Sequence, residues 1–426
     1  MSDSLPHMVF FTDGYPYGSG EKSFVSPELE VLTTSYQVTL VAFTSKEVVA
    51  QTDYISALPP QVERITYVRP AYSGAGALSY LPHALMFFFS RIGWRELRDL
   101  WRDGFTLPRL IDSIKQYAVA GHFRDFCSKQ GLFNNSPSTI YYSFWFSAQV
   151  LALAMEKRCS KNMSVASRIH GYDLYNERNL HARQPFQRTL RDACDKIFFA
   201  AESSQEYFSS AFGDECKVGQ YVLNRLGVSR QIDRFEFNRR EALGYETPFT
   251  LISCSSVIPL KRVELISRAL ESLSDCNIRW VHFGDGPLRN TVEQMSLESG
   301  IRAEFAGALP NEQILACYKK HRYGCFILVS ETEGCPVCVQ EALAFGMPII
   351  ITDAGGASET FRDNGYLLSQ NPSSEEVAMA IRSVYEASYE QWTAWSEASF
   401  RLWEERFDLE RNKQQLVQAL SDIAAA

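Results

Sequence analysis

Between residues 325 and 361 the chain reads CFILVSETEGCPVCVQEALAFGMPIIITDAGGASETF, a stretch compatible with few folds. The apolar run Cys325 to Val329 suits a strand covered on both faces, the environment of a parallel sheet. The polar loop Ser330 to Gly334 follows. The spacing predicts a helix that opens at Pro336, whose missing N–H costs nothing at a helix start, and closes at Phe345 before the left-handed stop Gly346. Pro348 to Thr352 is the next strand, and it runs into the turn Asp353-Ala354-Gly355-Gly356 ahead of Glu359. Glu333 then lies at the carboxyl end of a strand, where open α/β sheets bind ligands, with Glu341 roughly 7 to 8 Å along the helix axis from Pro336. Between them the helix N-terminus offers N–H groups and a partial positive charge to an anion. A phosphate flanked by two hydroxyl-bearing groups fits this pattern, because ionised carboxylates accept charge-assisted hydrogen bonds from sugar hydroxyls. The plainer alternative is a surface helix with two ordinary glutamates.

Glu333, Glu341, the run Ala342 to Pro348, Gly355-Gly356 and Glu359 together resemble the donor-site signature of retaining glycosyltransferases of family 4, similar to those that build bacterial surface polysaccharides. The resemblance implies an α/β fold with two doubly wound Rossmann-like domains facing across a cleft, the GT-B arrangement. It implies transfer of a hexosyl unit from a nucleotide-diphosphate sugar to the hydroxyl of a carbohydrate or lipid-linked acceptor, with retention at the anomeric carbon. Glu333 and His170 would hold the transferred sugar and Glu341 the ribose. Gly334, Cys335, Pro336 and Val337 would contribute backbone and shape at the helix start.

With 426 residues and 46% hydrophobic content the chain can bury two ordinary cores. A formal charge of −8 argues against a general nucleic-acid binder. Ten cysteines are scattered singly, mostly within apolar runs, as reduced thiols are in a cytosolic protein. Cys335 and Cys338 form a C-x-x-C, but without a second such pair or paired histidines this is half a zinc site. The apolar run Met8 to Phe11 is too short for a secretory signal, and no stretch reaches the roughly 20 apolar residues that span a bilayer. A cytoplasmic protein is expected, peripheral on the inner face of the cell membrane if the basic stripe below meets lipid.

Met8 to Thr12 reads as a first strand running into a glycine-rich loop, in which Gly18 and Gly20 could let backbone N–H groups approach a phosphate or sugar. The family resemblance places that loop across the cleft from the donor. Gln37 to Phe43, Ile65 to Arg69, Ile140 to Phe144, Ser164 to Ile169 and Ile197 to Ala201 continue a β/α series. His170 follows the fifth of these six strands, and His170-Gly171-Tyr172-Asp173 matches the family's cleft histidine motif. Between these strands Arg91, Arg95, Arg98 and Arg102 recur at helical spacing beside Trp94, Leu97 and Trp101. That is either an interfacial helix for an anionic membrane surface, or a helix packing its tryptophans inward with Glu96, Asp99 and Asp103 neutralising part of the basic face.

The polar stretch Arg225 to Glu246 reads as an interdomain linker. Residues 1–225 form an acceptor-side domain, 226–400 a donor-side domain, and 401–426 a last helix crossing back to the first. Phe249 to Ser255 opens the second series, and Lys261 and Arg262 are two adjacent cations suited to a diphosphate leaving group. The family usually has an arginine where Ser256 stands. Gly284-Asp285-Gly286-Pro287 resembles an architectural turn of the family. Gly307 and Leu309 fall where its base-contacting loop lies. No Asp-x-Asp occurs, so no metal and no cofactor beyond the nucleotide-sugar co-substrate is expected. A sugar-nucleotide epimerase of the same fold and a catalytically degenerate scaffold protein remain open.

Overall fold

The computed structural model describes residues 5–17, 21–51, 55–133, 138–159, 163–212 and 217–424. The chain divides into two units, Met1–Ala200 with Ser204–Asn224 and Lys413–Ala426, and Ala201–Ser203 with Arg225–Asn412. The return to the first unit thus comes after Asn412 rather than after residue 400. The cause is local: Trp403 and Phe407, fully buried, complete the core of the second unit before the chain leaves it.

The first unit is built on seven parallel strands, β1 (His7–Thr12), β2 (Gln37–Ser45), β3 (Glu63–Arg69), β4 (Ile140–Ser143), β5 (Ser164–Ile169), β6 (Lys196–Phe199) and β7 (Tyr221–Leu223), in the order β3-β2-β1-β4-β5-β6-β7. Alternate residues of β1 feed two cores. Val9 and Phe11 join the cluster that includes the Leu107–Lys129 and Ala148–Lys157 helices, while Met8 and Phe10 join Leu416, Leu420 and Ile423 of the last helix. Both faces of the sheet are therefore covered, as parallel sheets require. The strand order reverses between β1 and β4, which opens a crevice at their carboxyl ends.

The second unit repeats the plan with β8 (Phe249–Cys254), β9 (Ile278–Phe283), β10 (Ala303–Gly307), β11 (Cys325–Leu328), β12 (Ile349–Thr352) and β13 (Gly365–Leu368), in the order β10-β9-β8-β11-β12-β13. Its reversal lies between β8 and β11. The expected linker holds instead a helix, Arg234–Leu243, capped by Asp233, which accepts from the Glu236 N–H at 2.7 Å. Phe237 alone on this helix is buried, stacked on Phe400 at 4.3 Å, and one anchor suffices to fix an otherwise polar helix to the second core. Pro336 caps the Val337–Ala344 helix from outside rather than opening it, and Gly346 takes the left-handed conformation at φ +68°.

The Arg91–Arg102 helix separates the two readings of its stripe. Trp94 and Trp101 are 64% and 72% exposed, so the tryptophans do not pack inward. Of the acids, Asp99 reaches one arginine of the stripe, Arg98, at 4.0 Å. Glu96 and Asp99 are buried on the core side, where Glu96 holds Arg183 at 2.5 Å and accepts from Ser113, and Asp103 also pairs with Arg183.

Candidate active site

In the second unit the crevice at the β8/β11 reversal is bounded by the loops after those two strands. Lys261, from the first loop, places Nζ 2.5 Å from Oε1 of Glu333 in the second. Glu333 is held by its backbone as well: its carbonyl accepts from the Gly356 N–H at 3.0 Å. That approach demands glycine, because a Cβ on Gly356 would lie 1.6 Å from the Gly334 oxygen. Gly355, at φ +59°, would bring a Cβ within 2.4 Å of the Glu333 oxygen. The glycine pair predicted to be a flexible turn is a tight clasp on the Glu333 loop.

Val339 and Gln340 make the first hydrogen bonds of their helix, to the Pro336 carbonyl, so the N–H groups of Val337 and Cys338 precede the intrahelical ladder. One turn further, Glu341 is buried and accepts from Asn311 Nδ2 at 2.6 Å. Burial raises its carboxyl to about 7, partly opposed by that hydrogen bond. Burial also pushes the Cys338 thiol well up, with Cys254, Glu333 and Glu341 adding to the shift and Lys261 opposing it. Cys335 is likewise driven up to about 12 by burial, and its sulfur accepts from Gln340 Nε2 at 3.0 Å. Buried thiols held this far up are not activated nucleophiles.

Arg262 is differently engaged than expected. Its Nε donates to the Val329 carbonyl at 2.7 Å, Nη2 to the Ser330 and Gln370 carbonyls at 2.9 and 3.0 Å, and Nη1 to Asn371 Oδ1 at 3.2 Å. The guanidinium braces the loop that carries Glu333, whereas Lys261 pairs with the Glu333 carboxylate itself. Ser256 is exposed on the same loop. Gly284 and Gly286 admit that loop: a Cβ on either would lie 1.8 or 2.5 Å from the Ser255 or Val257 oxygen. Gly307, at φ +77°, accepts from the Gly284 N–H at 2.9 Å, and Leu309 packs partly buried on the core just before Asn311 begins its helix. Asn311 links this loop to Glu341; only its place at a helix start after Pro310 hinted at a role.

In the first unit His170 follows β5 directly and caps the short Gly171–Leu174 helix. Asp173 fixes it, accepting from the His170 N–H and from the Phe146 N–H, both at 2.6 Å. The ring packs against Phe144 and Trp145 at 4.7 and 4.8 Å. Burial, helped by the Arg168 charge, lowers its pKa to about 3, so the imidazole is neutral at physiological pH. Its Nε2 lies 3.1 Å from the Phe144 carbonyl, which can only accept, so Nε2 carries the proton and Nδ1 is an acceptor. Gly18 and Gly20 lie outside the described residues. Beside them Glu21 accepts from the Asp13 and Tyr15 N–H groups, at 3.2 and 2.7 Å, and from the Trp145 indole. A cavity of about 370 Å³ adjoins, with Asp13, Arg69, Trp145, Tyr172, Asp173 and Gln187 in its wall. Gln187 is buried and its Oε1 has no partner among the described residues.

Residues 234–401, within the second unit, match the family of glycosyl transferases group 1. The region so identified contains Lys261, Glu333 and Glu341. The chain is 29% identical over 226 residues to the candidate teichuronic acid biosynthesis glycosyltransferase TuaC of Bacillus subtilis, covering 50% of this chain and 53% of TuaC. It is 26% identical over 237 residues to a GDP-mannose-dependent alpha-(1-6)-phosphatidylinositol monomannoside mannosyltransferase of Mycobacterium tuberculosis, covering 52% of this chain and 60% of that protein. The chain thus spans little more than half the length of these relatives. Among solved structures, Anabaena HepE in complex with UDP and glucose aligns with a TM-score of 0.64 at 15% identity, over 98% of this chain and 100% of that one. Sucrose-phosphate synthase of Thermosynechococcus elongatus aligns with a TM-score of 0.69 at 16% identity, over 99% of each chain. The fold is GT-B, two Rossmann-like domains in one chain.

Proposed function

We propose that the chain is a retaining, metal-independent hexosyltransferase that moves a sugar from a nucleotide diphosphate to an acceptor hydroxyl in surface-polysaccharide or glycolipid assembly. The observation that carries this reading is the Lys261–Glu333 pair at the strand-order reversal, one helix turn from the buried Glu341. The group 1 match over 234–401 and the UDP and glucose held by HepE support it.

Chemically, the sugar–phosphate bond breaks with its electron pair leaving on the diphosphate. The new bond forms from the acceptor oxygen on the same face, and the departing phosphate oxygen takes the acceptor's proton. Lys261 and the free N–H groups of Val337 and Cys338 stabilise the charge that grows on the diphosphate. Glu333 accepts from hydroxyls of the transferred sugar. His170 is neutral, contacts the transferred sugar and is not a general acid. The cavity beside Trp145, with its unpartnered Gln187 oxygen and its carboxylates, suits the hydroxyl-rich acceptor. Exposed Trp94 and Trp101 beside the arginines favour a lipid-linked acceptor at an anionic membrane surface on the cytoplasmic side. Among the described residues no helix is long and apolar enough to cross a membrane.

Glu341→Ala is expected to weaken nucleoside diphosphate binding tenfold or more, since charged hydrogen bonds to ribose are worth about 1.5 to 3 kcal/mol. The same carboxyl sets a pH dependence. It titrates near 7 in the unliganded protein, and ribose hydroxyls favour its ionised form, so the pKa falls on binding and affinity rises as pH increases through 7. Calorimetry from pH 6 to 8 should show that rise in the wild type and a flattened profile in Glu341→Gln. Unchanged affinity in a folded Glu341→Ala variant would remove the ribose assignment. Turnover is expected to survive excess EDTA; its loss with recovery on adding magnesium would overturn the metal-free mechanism.

A further inference from the structure

A second cavity of the first unit, also about 370 Å³, lies where the first turn of the Arg91–Arg102 helix meets the last turns of the Ala148–Lys157 and Gln187–Ala193 helices. Arg91, Arg95, Lys157 and Arg158 line it, with Asp192 as the one acid in its wall. Arg95 is paired with Asp192 at 2.6 Å, and Lys157 with Asp195 at 2.7 Å. Arg91 and Arg158 are exposed and make no ion pair among the described residues, so two positive charges face the cavity uncompensated. Two residues of the wall also hold buried polar atoms with no partner among the described residues, Oγ1 of Thr189, which is 7% exposed, and Nε of Arg95. Such groups are rare in folded proteins and call for a missing partner, here one that accepts from several donors and carries negative charge.

The chain on either side of Arg91 says what that partner belongs to. Phe88 and Phe89, immediately before Arg91, are 41% and 81% exposed, and Trp94 follows one turn later. Leu81, Leu85 and Met86 on the preceding Gly74–Phe87 helix are also exposed. Apolar surface of this extent beside a cationic pocket is unusual on a soluble face, and it matches the headgroup-to-acyl boundary of a bilayer.

We propose that this cavity is a phosphate site that takes the headgroup of an anionic phospholipid, with Phe89 and Trp94 entering the acyl boundary beside it. The site rests on the membrane-facing part of the reading above and would hold the enzyme where a lipid-linked acceptor is presented. It is separate from the donor site of the second unit, so the two can fail independently.

The test uses the full chain with vesicles of phosphatidylcholine alone and of phosphatidylcholine mixed equally with phosphatidylglycerol, at low salt. Wild-type protein should sediment with the mixed vesicles only. Arg91→Glu with Arg158→Glu alters the two cations that hold no partner, and it should weaken that binding about tenfold or more. Thr189→Val should weaken it less, with no change in charge. Phe89→Ser with Trp94→Ser should lose the vesicles while keeping a thermal shift with inorganic phosphate that the double arginine variant lacks. Wild-type protein that responds neither to the mixed vesicles nor to phosphate, or a double arginine variant that binds the vesicles as wild type does, overturns the site. Wild-type protein that responds to phosphate and ignores the mixed vesicles overturns the lipid as its occupant. Nucleoside diphosphate affinity should be equal in all these proteins; its absence from the wild type, with vesicle binding intact, would count against the donor reading and not against this site.

Discussion

Replacing Lys261 by alanine is expected to lower turnover about 100-fold or more while changing nucleoside diphosphate affinity far less. The charge on the leaving diphosphate grows as the sugar bond breaks, so a cation beside it acts mainly on the transition state. Removing one such preorganised donor typically costs about 10²- to 10³-fold in rate. Two features of the site sharpen this expectation. Arg262 is tied to Val329, Ser330, Gln370 and Asn371, so it cannot stand in for the missing amine without releasing the loop that carries Glu333. Glu333, without its partner at 2.5 Å, would repel a diphosphate bound beside it. Steady-state kinetics alongside calorimetry separate the two effects, and a loss below about tenfold in turnover would show that Lys261 is not the leaving-group cation.

The largest expected effect on stability lies in the first unit, beneath His170. Arg168, 1% exposed on β5, is held by Glu28 Oε2 at 2.8 Å and by the Asn224 carbonyl and Oδ1 at 2.8 and 2.7 Å. Tyr142 donates to the other Glu28 oxygen. Burial works against the Arg168 charge, yet the neighbouring Glu28 carboxylate more than offsets it and the guanidinium is held above its ordinary value. Glu28→Ala removes that carboxylate and strands a buried cation, a change that costs about 3 to 5 kcal/mol. Urea denaturation of the variant should show the first unit unfolding at clearly lower denaturant. A shift worth less than about 1 kcal/mol would mean that Asn224 and water alone satisfy Arg168.

Much of this architecture could be read from the residues because parallel strands buried on both faces are written as apolar runs. Cys325 to Val329, Pro348 to Thr352 and Met8 to Thr12 are such runs, and they became β11, β12 and β1. Two edge strands, β7 and β13, escaped notice for the same reason. Tyr221–Leu223 is partly exposed, and Gly365–Leu368 is short, begins at a glycine and is mostly exposed or half-buried, so neither carries an apolar signature. The Arg234–Leu243 helix was hidden by polarity, since its one buried side chain, Phe237, makes no periodic pattern.

The site was legible where a motif carries charge at fixed spacing and illegible where long-range contacts decide. Glu333 and Glu341 stand out in one β/α unit, but nothing in sequence shows that Lys261 would reach across the strand reversal to Glu333. The same holds for Asn311 meeting Glu341, thirty residues away in sequence. The roles of Lys261 and Arg262 could not be told apart as neighbours in a chain. They diverge because Arg262 takes a left-handed conformation at φ +48°, turning its side chain back toward Val329. For the Arg91–Arg102 helix the helical wheel left two orientations open, and the burial of Glu96 against Arg183 decides between them by fixing which face meets the core.

The central claim is that the Lys261–Glu333–Glu341 constellation handles a sugar nucleotide and releases its sugar. The most direct test incubates the purified protein with a panel of UDP-, GDP- and ADP-linked sugars, with and without a bacterial lipid extract as acceptor source. Nucleoside diphosphate release and the fate of the sugar are then followed by NMR. The account predicts that one donor is consumed in the presence of acceptor, with the anomeric configuration kept in the product, and that Lys261→Ala abolishes the signal. No turnover or binding of any sugar nucleotide, or a sugar inverted at a ring carbon while still attached to its nucleotide, would contradict it.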